Sequence, residues 1–190
     1  MASFSEALKL HQSGRFEEAE AAYDQILASE PEHPDALHLK GVILMQRGDS
    51  RGAVKLISQA IVIRPGDALY YTNLAAALHQ LNLPDRAIEY AHRALAIDGK
   101  RHEAHLVIGQ ALIRKQAFQP ALEAFSGAHA LQPGDRKAVA GVMECLQALG
   151  RPEAMIHFVD GLKTAPDDTT RIIYARALRD LGRLDESLAA

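Results

Sequence analysis

Nine histidines and one cysteine are the residues from which chemistry would have to be built. His102 and His105, in His-Glu-Ala-His, stand at the i, i+3 spacing that places two imidazoles on one helix turn, where a third ligand would complete a metal site. The motif is not His-Glu-x-x-His, and no third ligand lies near it in sequence. The pair falls beside a turn, so it reads as solvent-facing surface, and no metal is expected. His11, His38 and His79 lie in three separate segments and need not converge. Cys145 sits alone in a helical pattern between Glu144 and Leu146 and reads as a small buried hydrophobe. There is no Gly-x-Gly-x-x-Gly, no phosphate-binding loop and no Gly-x-Ser-x-Gly. No catalytic residue and no cofactor are expected.

The composition narrows the remaining classes. The chain has 190 residues, 48% hydrophobic and only 5% aromatic, so helix formers dominate and a mainly β fold is excluded. A net charge of -3, with no basic surface interleaved with aromatics, argues against nucleic acid and against membrane surfaces. One cysteine excludes a disulfide framework. Residues 1–10 carry neither a basic leader nor an apolar core. No apolar run approaches the ~18 residues that span a bilayer, so a cytoplasmic protein without membrane insertion is expected.

The elements that position these residues come from an internal repeat. Turns centred on Pro31, Pro65, Gly99 and Pro133 are spaced by 34 residues, and Pro166 follows 33 later. A second break lies between them at Gly14, Gly48, Asn82, Gly150 and Gly182. Each repeat is therefore two helix-length segments. Leu37, Gly41, Leu44 and Met45 show helical apolar spacing, as do Leu74, Leu78 and Leu81. Ser3 with Glu6 forms a candidate capping box, Asp67 and Asp135 are candidate caps, and Pro34, Pro84 and Pro152 suit first helical turns. Small residues recur in register. Ala19, Ala53, Ala87, Ala121, Ala154 and Ser187 fall in second segments, and Ala7, Gly41, Ala75, Gly109 and Ala175 in first segments. They predict close approach of the two helices of each repeat. Ala60, Ala94, Ala128 and Gly161 form a third column, facing the next repeat.

This pattern resembles the tetratricopeptide repeat, through Gly41, Leu44, Ala53, Ile57, Ala60 and Pro65, and again through Gly109, Leu112, Ala121, Phe125, Ala128 and Pro133. The resemblance covers essentially the whole chain. It implies an all-α, right-handed α-solenoid forming one superhelical domain. Its repeats are 1–33, 34–67, 68–101, 102–135 and 136–168, with a partial sixth at 169–190. Three departures are visible. Gly99 replaces a closing proline, Met143 stands where a small residue is usual, and the fifth repeat is one residue short between Gly150 and Ala154. Distortion is expected there. The segment from Arg183 to Ala190 starts a second helix without a polar cap, so Ala190 is expected to be an artificial boundary or a face covered by another chain.

The resemblance further implies that first helices line a concave groove. The inward stripe is then Gln12 in the first repeat, His38, Met45 and Gln46 in the second, and Thr72, His79 and Gln80 in the third. Leu106, Gln110, Ile113 and Arg114 follow in the fourth, and Glu144 and Gln147 in the fifth. Glutamine supplies donors and acceptors, so Gln12, Gln46, Gln80, Gln110 and Gln147 suit the backbone of an extended peptide. Met45, Leu106 and Ile113 would add apolar pockets, and Arg114 a contact to a carboxylate. A carboxylate clamp of Lys, Arg and Asn is not present in this stripe, nor is a ladder of asparagines. The expected function is a non-catalytic scaffold with a protein or peptide partner. Two other readings stand beside it. One is the N-terminal recognition array of a larger glycosyltransferase, sulfotransferase or methyltransferase. The other is a self-assembling scaffold, a homo-oligomer through its terminal repeats. The charge split suits the latter, since residues 1–35 carry eight acids and two bases.

Overall fold

The computed structural model describes residues 3–162 and 168–183. Over these residues the chain is all-α. The helices are α1 (Phe4–Gln12), α2 (Phe16–Ser29), α3 (Pro34–Gln46), α4 (Ser50–Ile63), α5 (Ala68–Gln80) and α6 (Pro84–Ile97), then α7 (His102–Arg114), α8 (Phe118–Leu131), α9 (Arg136–Ala148), α10 (Pro152–Asp160) and α11 (Asp168–Asp180). Successive pairs form the helix-turn-helix repeats of the solenoid class. The chain falls into two compact units that meet between Arg101 and His102, the boundary of the third and fourth repeats. The N-terminal unit holds α1–α6 and the C-terminal unit α7–α11. The second helix expected after Arg183, the small residue Ser187 and the turn residue Pro166 lie outside the described residues.

Helix starts follow the sequence signals. The Ser3 hydroxyl accepts from the Glu6 amide, Asp67 from Leu69 and Asp135 from Ala138. Pro34, Pro84 and Pro152 are each the first residue of their helix, where the missing N–H has no intrahelical partner. The break within each repeat is a left-handed residue closing the first helix: Gly14, Gly48, Asn82, Gln116, Gly150 and Gly182, with φ from 57° to 88°. The following amide then donates to a carbonyl five residues back, as Asp49 does to Leu44 and Arg151 to Leu146. Gln116 completes this column and was invisible in sequence, because glutamine carries no preference for that conformation.

The small columns bring each helix pair together. Ala7, Ala19, Ala53, Ala75, Ala87 and Ala121 are all fully buried. A Cβ on Gly41 would lie 2.7 Å from Ile57 Cγ1, so α3 and α4 meet at a separation only glycine allows. Phe125 on α8 is held on both sides. A Cβ on Gly109 of α7 would stand 2.7 Å from its ring, and one on Gly141 of α9 would run into it from the other side. Gly141 is the small residue by which α9 meets α8 of the preceding repeat, and Met143 is buried.

The fifth repeat corrects the expected register. The turn from Gly150 into α10 has the same length as its counterparts, since Met155 donates to Arg151 just as Ala53 does to Asp49 and Ala121 to Ala117. Met155 therefore occupies the small-residue column, buried, while Ala154 is exposed. The missing length lies at the other end. α10 has 9 residues where α4, α6 and α8 have 14. Gly161 is the exposed residue that ends α10 and not part of a helix contact.

Gln116 stores strain that a glycine would release. Replacing it, Gln116→Gly, is expected to raise unfolding stability by about 0.5–1 kcal/mol in urea melts. An unchanged or lower midpoint would contradict this origin of the turn.

Candidate functional site

In the N-terminal unit, Gln12, Gln46 and Gln80 are the last residues of α1, α3 and α5, and all three are exposed. Met45 and His79 are half-buried beside them. Gln80 is already partly engaged, because the buried Ser50 hydroxyl donates to its Oε1 at 2.6 Å and ties the start of α4 to the end of α5. His38 and Thr72 are different. Each is 2% exposed. The Thr72 hydroxyl donates to the Ala68 carbonyl at 2.8 Å. These two side chains hold the frame rather than offering an open surface.

His38 belongs to a polar seam between α3 and α5 that sequence reasoning missed. Its ring packs on Tyr70, with centroids 4.5 Å apart, and its Nε2 lies 2.8 Å from the Asn73 amide nitrogen. An amide nitrogen only donates, so Nε2 accepts and the ring is neutral with its proton on Nδ1. Burial depresses the His38 pKa to about 4, against the opposing pull of the Asp67 and Asp35 carboxylates and with a small further push from His11. Beside it, Arg64 at the end of α4 holds both Asp35 oxygens, at 2.8 and 3.0 Å, and donates to the Tyr70 hydroxyl at 3.0 Å. That hydroxyl donates to Asp35. Burial raises the Asp35 carboxyl, but the Tyr70 and Arg64 hydrogen bonds outweigh it and hold it below the usual carboxylate range. Burial, reinforced by the Asp35 bond, pushes the Tyr70 phenol well above its ordinary value. Tyr70 thus packs with a polar extension, and Tyr71 faces Tyr90 on α6. The only hint in sequence was the repeat register itself, which puts Asp35 and Leu69 at one position and Tyr70 next to it.

The acidity of residues 1–35 is largely spent within the unit. Glu17 and Glu20 pair with Arg47, Asp24 with Lys40, Glu18 with Arg15, and Asp35 with Arg64. These pairs are mostly solvent-exposed and individually weak.

In the C-terminal unit, Leu106 is buried in the core with Phe125, Val142 and Leu146. Gln110 and Ile113 are half-buried, and Arg114, Glu144 and Gln147 are exposed. Gln147 borders a depression of about 120 Å³ among α9, α10 and α11. Cys145 is fully buried, and burial followed by Glu144 pushes its thiol up to about 11, so it packs as an apolar side chain. His102 is not surface. It is buried, with Nε2 3.4 Å from Asp135 Oδ2 at the cap of α9. Its neighbour His105 lies against Gly127 on α8, where a Cβ would sit 3.0 Å from its ring. The two imidazoles are thus drawn into helix packing. Among the described residues, no three His, Cys, Asp or Glu side chains group as metal ligands, and no helix is long and apolar enough to cross a membrane.

Helix pairs with small residues at their crossings and a left-handed residue between them define the tetratricopeptide repeat class. The tetratricopeptide repeat models match residues 10–78 and 72–136, and the chain belongs to that family. A small glutamine-rich tetratricopeptide repeat-containing protein 2 of Mycosarcoma maydis is 30% identical over 117 residues, 60% of this chain and 33% of the relative. The chain therefore spans about a third of that relative's length. Among solved structures, PilW, described as a type IV pilus biogenesis factor, superposes with a TM-score of 0.79 at 19% identity, covering 96% of this chain and 87% of PilW. YrrB, described as a repeat protein with an unusual peptide-binding site, gives 0.69 at 20% identity, covering 94% and 89%. At such identities the likeness is one of fold.

The buried His38 makes a pH prediction. Its unfolded pKa is near 6.5 and its folded pKa is about 4, so the unfolded chain binds more protons between these values. Stability is full above pH 6.5 and falls as the pH drops toward 4. Between pH 7 and pH 5 the His38 share of this loss is about 2 kcal/mol. Urea melts of the protein and of His38→Gln are expected to show that much less acid sensitivity in the variant. Equal losses would contradict the assignment.

Proposed function

We propose that this chain is a non-catalytic scaffold that binds a protein or peptide along the exposed ends of its first helices. The observation that carries the proposal is the recurrence of Gln12, Gln46 and Gln80 at one position of three consecutive first helices, all exposed. A carboxamide both donates and accepts, so such a row matches the alternating N–H and C=O groups of an extended peptide without demanding particular side chains. Met45 and His79 flank the row with partly buried surface for a partner's apolar groups. In the C-terminal unit the corresponding contacts are Gln110, Ile113, Arg114, Glu144 and Gln147, with Arg114 directed by its chemistry to carboxylates. His38, Thr72 and Leu106 act behind this surface by fixing helix positions. The peptide-binding site in the description of YrrB supports the reading by analogy of fold.

The test places a photo-crosslinking side chain at Gln46, at Gln80 and at Val62 in the source cells. Val62 is 82% exposed on a second helix and serves as the control. Discrete higher-mass adducts are expected from Gln46 and Gln80 and not from Val62. Adducts from Val62 alone, or the same set from all three, would overturn the proposal.

A further inference from the structure

We infer that the depression in the C-terminal unit is a specificity pocket for one aliphatic side chain of a partner peptide whose neighbouring residue carries a carboxylate. Leu146 on α9, Met155 on α10 and Ile173 on α11 line its apolar part. Arg151, Arg176 and Asp180 stand around it.

The pocket lies at a place that the second repeat closes with a hydrogen bond. In the second repeat, Ser50 begins α4 and its hydroxyl closes the gap to α5 by donating to Gln80. Pro152 begins α10 at the matching place and has no group to make that bond. The long side chain of Met155 fills the column held by Ala53 in the second repeat, and α10 stops after 9 residues. The gap closed by a hydrogen bond in the second repeat is here a cavity of about 120 Å³. A cavity of roughly 150 Å³ lined by aliphatic groups accepts benzene, so this one has room for a leucine-sized side chain.

The charge around it changes in the same way. Counting back from the left-handed residues Asn82 and Gly182, Arg176 falls where the third repeat has Ala76. Arg151 falls where the second repeat has Asp49, the residue that caps α4. Both guanidinium-bearing residues are exposed. Among the described residues Asp180 is the one carboxylate on the rim, and it has Arg179 as a neighbour at 3.9 Å. The rim is therefore net positive. A carboxylate next to the inserted side chain would gain charge-assisted hydrogen bonds from a planar fork donor, while a lysine there would meet two like charges. This inference rests on the reading of the chain as a peptide-binding scaffold and adds a sequence preference to it.

The experiment uses the full chain with ¹³C-labelled methionine methyls, assigned by single Met→Leu variants, and three synthetic peptides. These are acetyl-Ser-Leu-Glu-Ser-amide, the same peptide with Ala for Leu, and the same peptide with Lys for Glu. The first is expected to shift the Met155 methyl saturably, with a Kd of about 1 mM or tighter, and each altered peptide to bind about tenfold more weakly. The double variant Arg151→Glu, Arg176→Glu, both sites being exposed, is expected to keep its helicity and lose the Met155 response. The inference is overturned by a Met155 methyl that does not move, by equal response to the lysine peptide, or by a response that survives the double variant. A shift at Met45 without one at Met155 overturns the pocket alone and leaves the scaffold reading standing, since Met45 lies in the N-terminal unit.

Discussion

The contact on which the rest of the structure depends is the close crossing of the two helices within a repeat. It is made where a glycine or alanine of the first helix meets a larger side chain of the second. Gly41 against Ile57 shows it in the N-terminal unit, and Gly109 against Phe125 shows it in the C-terminal unit. Interiors pack like organic solids, so one extra methyl at such a crossing has nowhere to go. A glycine inside a helix costs roughly 0.5–1 kcal/mol against alanine, so its presence at these crossings marks positions where packing outweighs helix propensity. Once the crossing is fixed, the left-handed turn residue, the cap of the next helix and the direction of the first-helix ends follow from it.

Much of this was legible because it is periodic. The column of Gly14, Gly48 and Asn82, the prolines at helix starts and the alanines of the second helices each repeat at one spacing. What failed to show was whatever broke the period. Gln116 adopts a left-handed conformation that its side chain does not announce. Met155 takes an alanine position with a large side chain, and the neighbouring Ala154 offered a more attractive alignment one residue away. A slip of one residue puts this 9-residue helix in the wrong register, because a helix turns by 100° per residue and the buried face turns with it.

The candidate site was legible in part for the same reason. The glutamines at the ends of α1, α3 and α5 share one position, and the structure leaves them exposed. His38, Thr72 and Leu106 share the stripe by counting but are buried, and only packing could reveal that. The seam of Asp35, Arg64, Tyr70, His38 and Asn73 joins residues up to 38 positions apart. No local pattern encodes such a network. It fixes α3 against α5, and with them the spacing of Gln46 and Gln80, so a polar core feature sets the geometry of an outer surface.

The crossing itself can be interrogated by a double-mutant cycle on Gly41 and Ile57. In the native background Gly41→Ala is expected to destabilise by about 1–3 kcal/mol, since the new methyl meets the buried Ile57. In the Ile57→Ala background the same change has room, and the better helix propensity of alanine should bring its cost near zero or make it favourable by up to about 1 kcal/mol. A coupling of at least about 1 kcal/mol between the two sites is therefore the predicted result. Additivity within about 0.5 kcal/mol, with Gly41→Ala costing the same in both backgrounds, would show that the crossing is not what holds the repeat together.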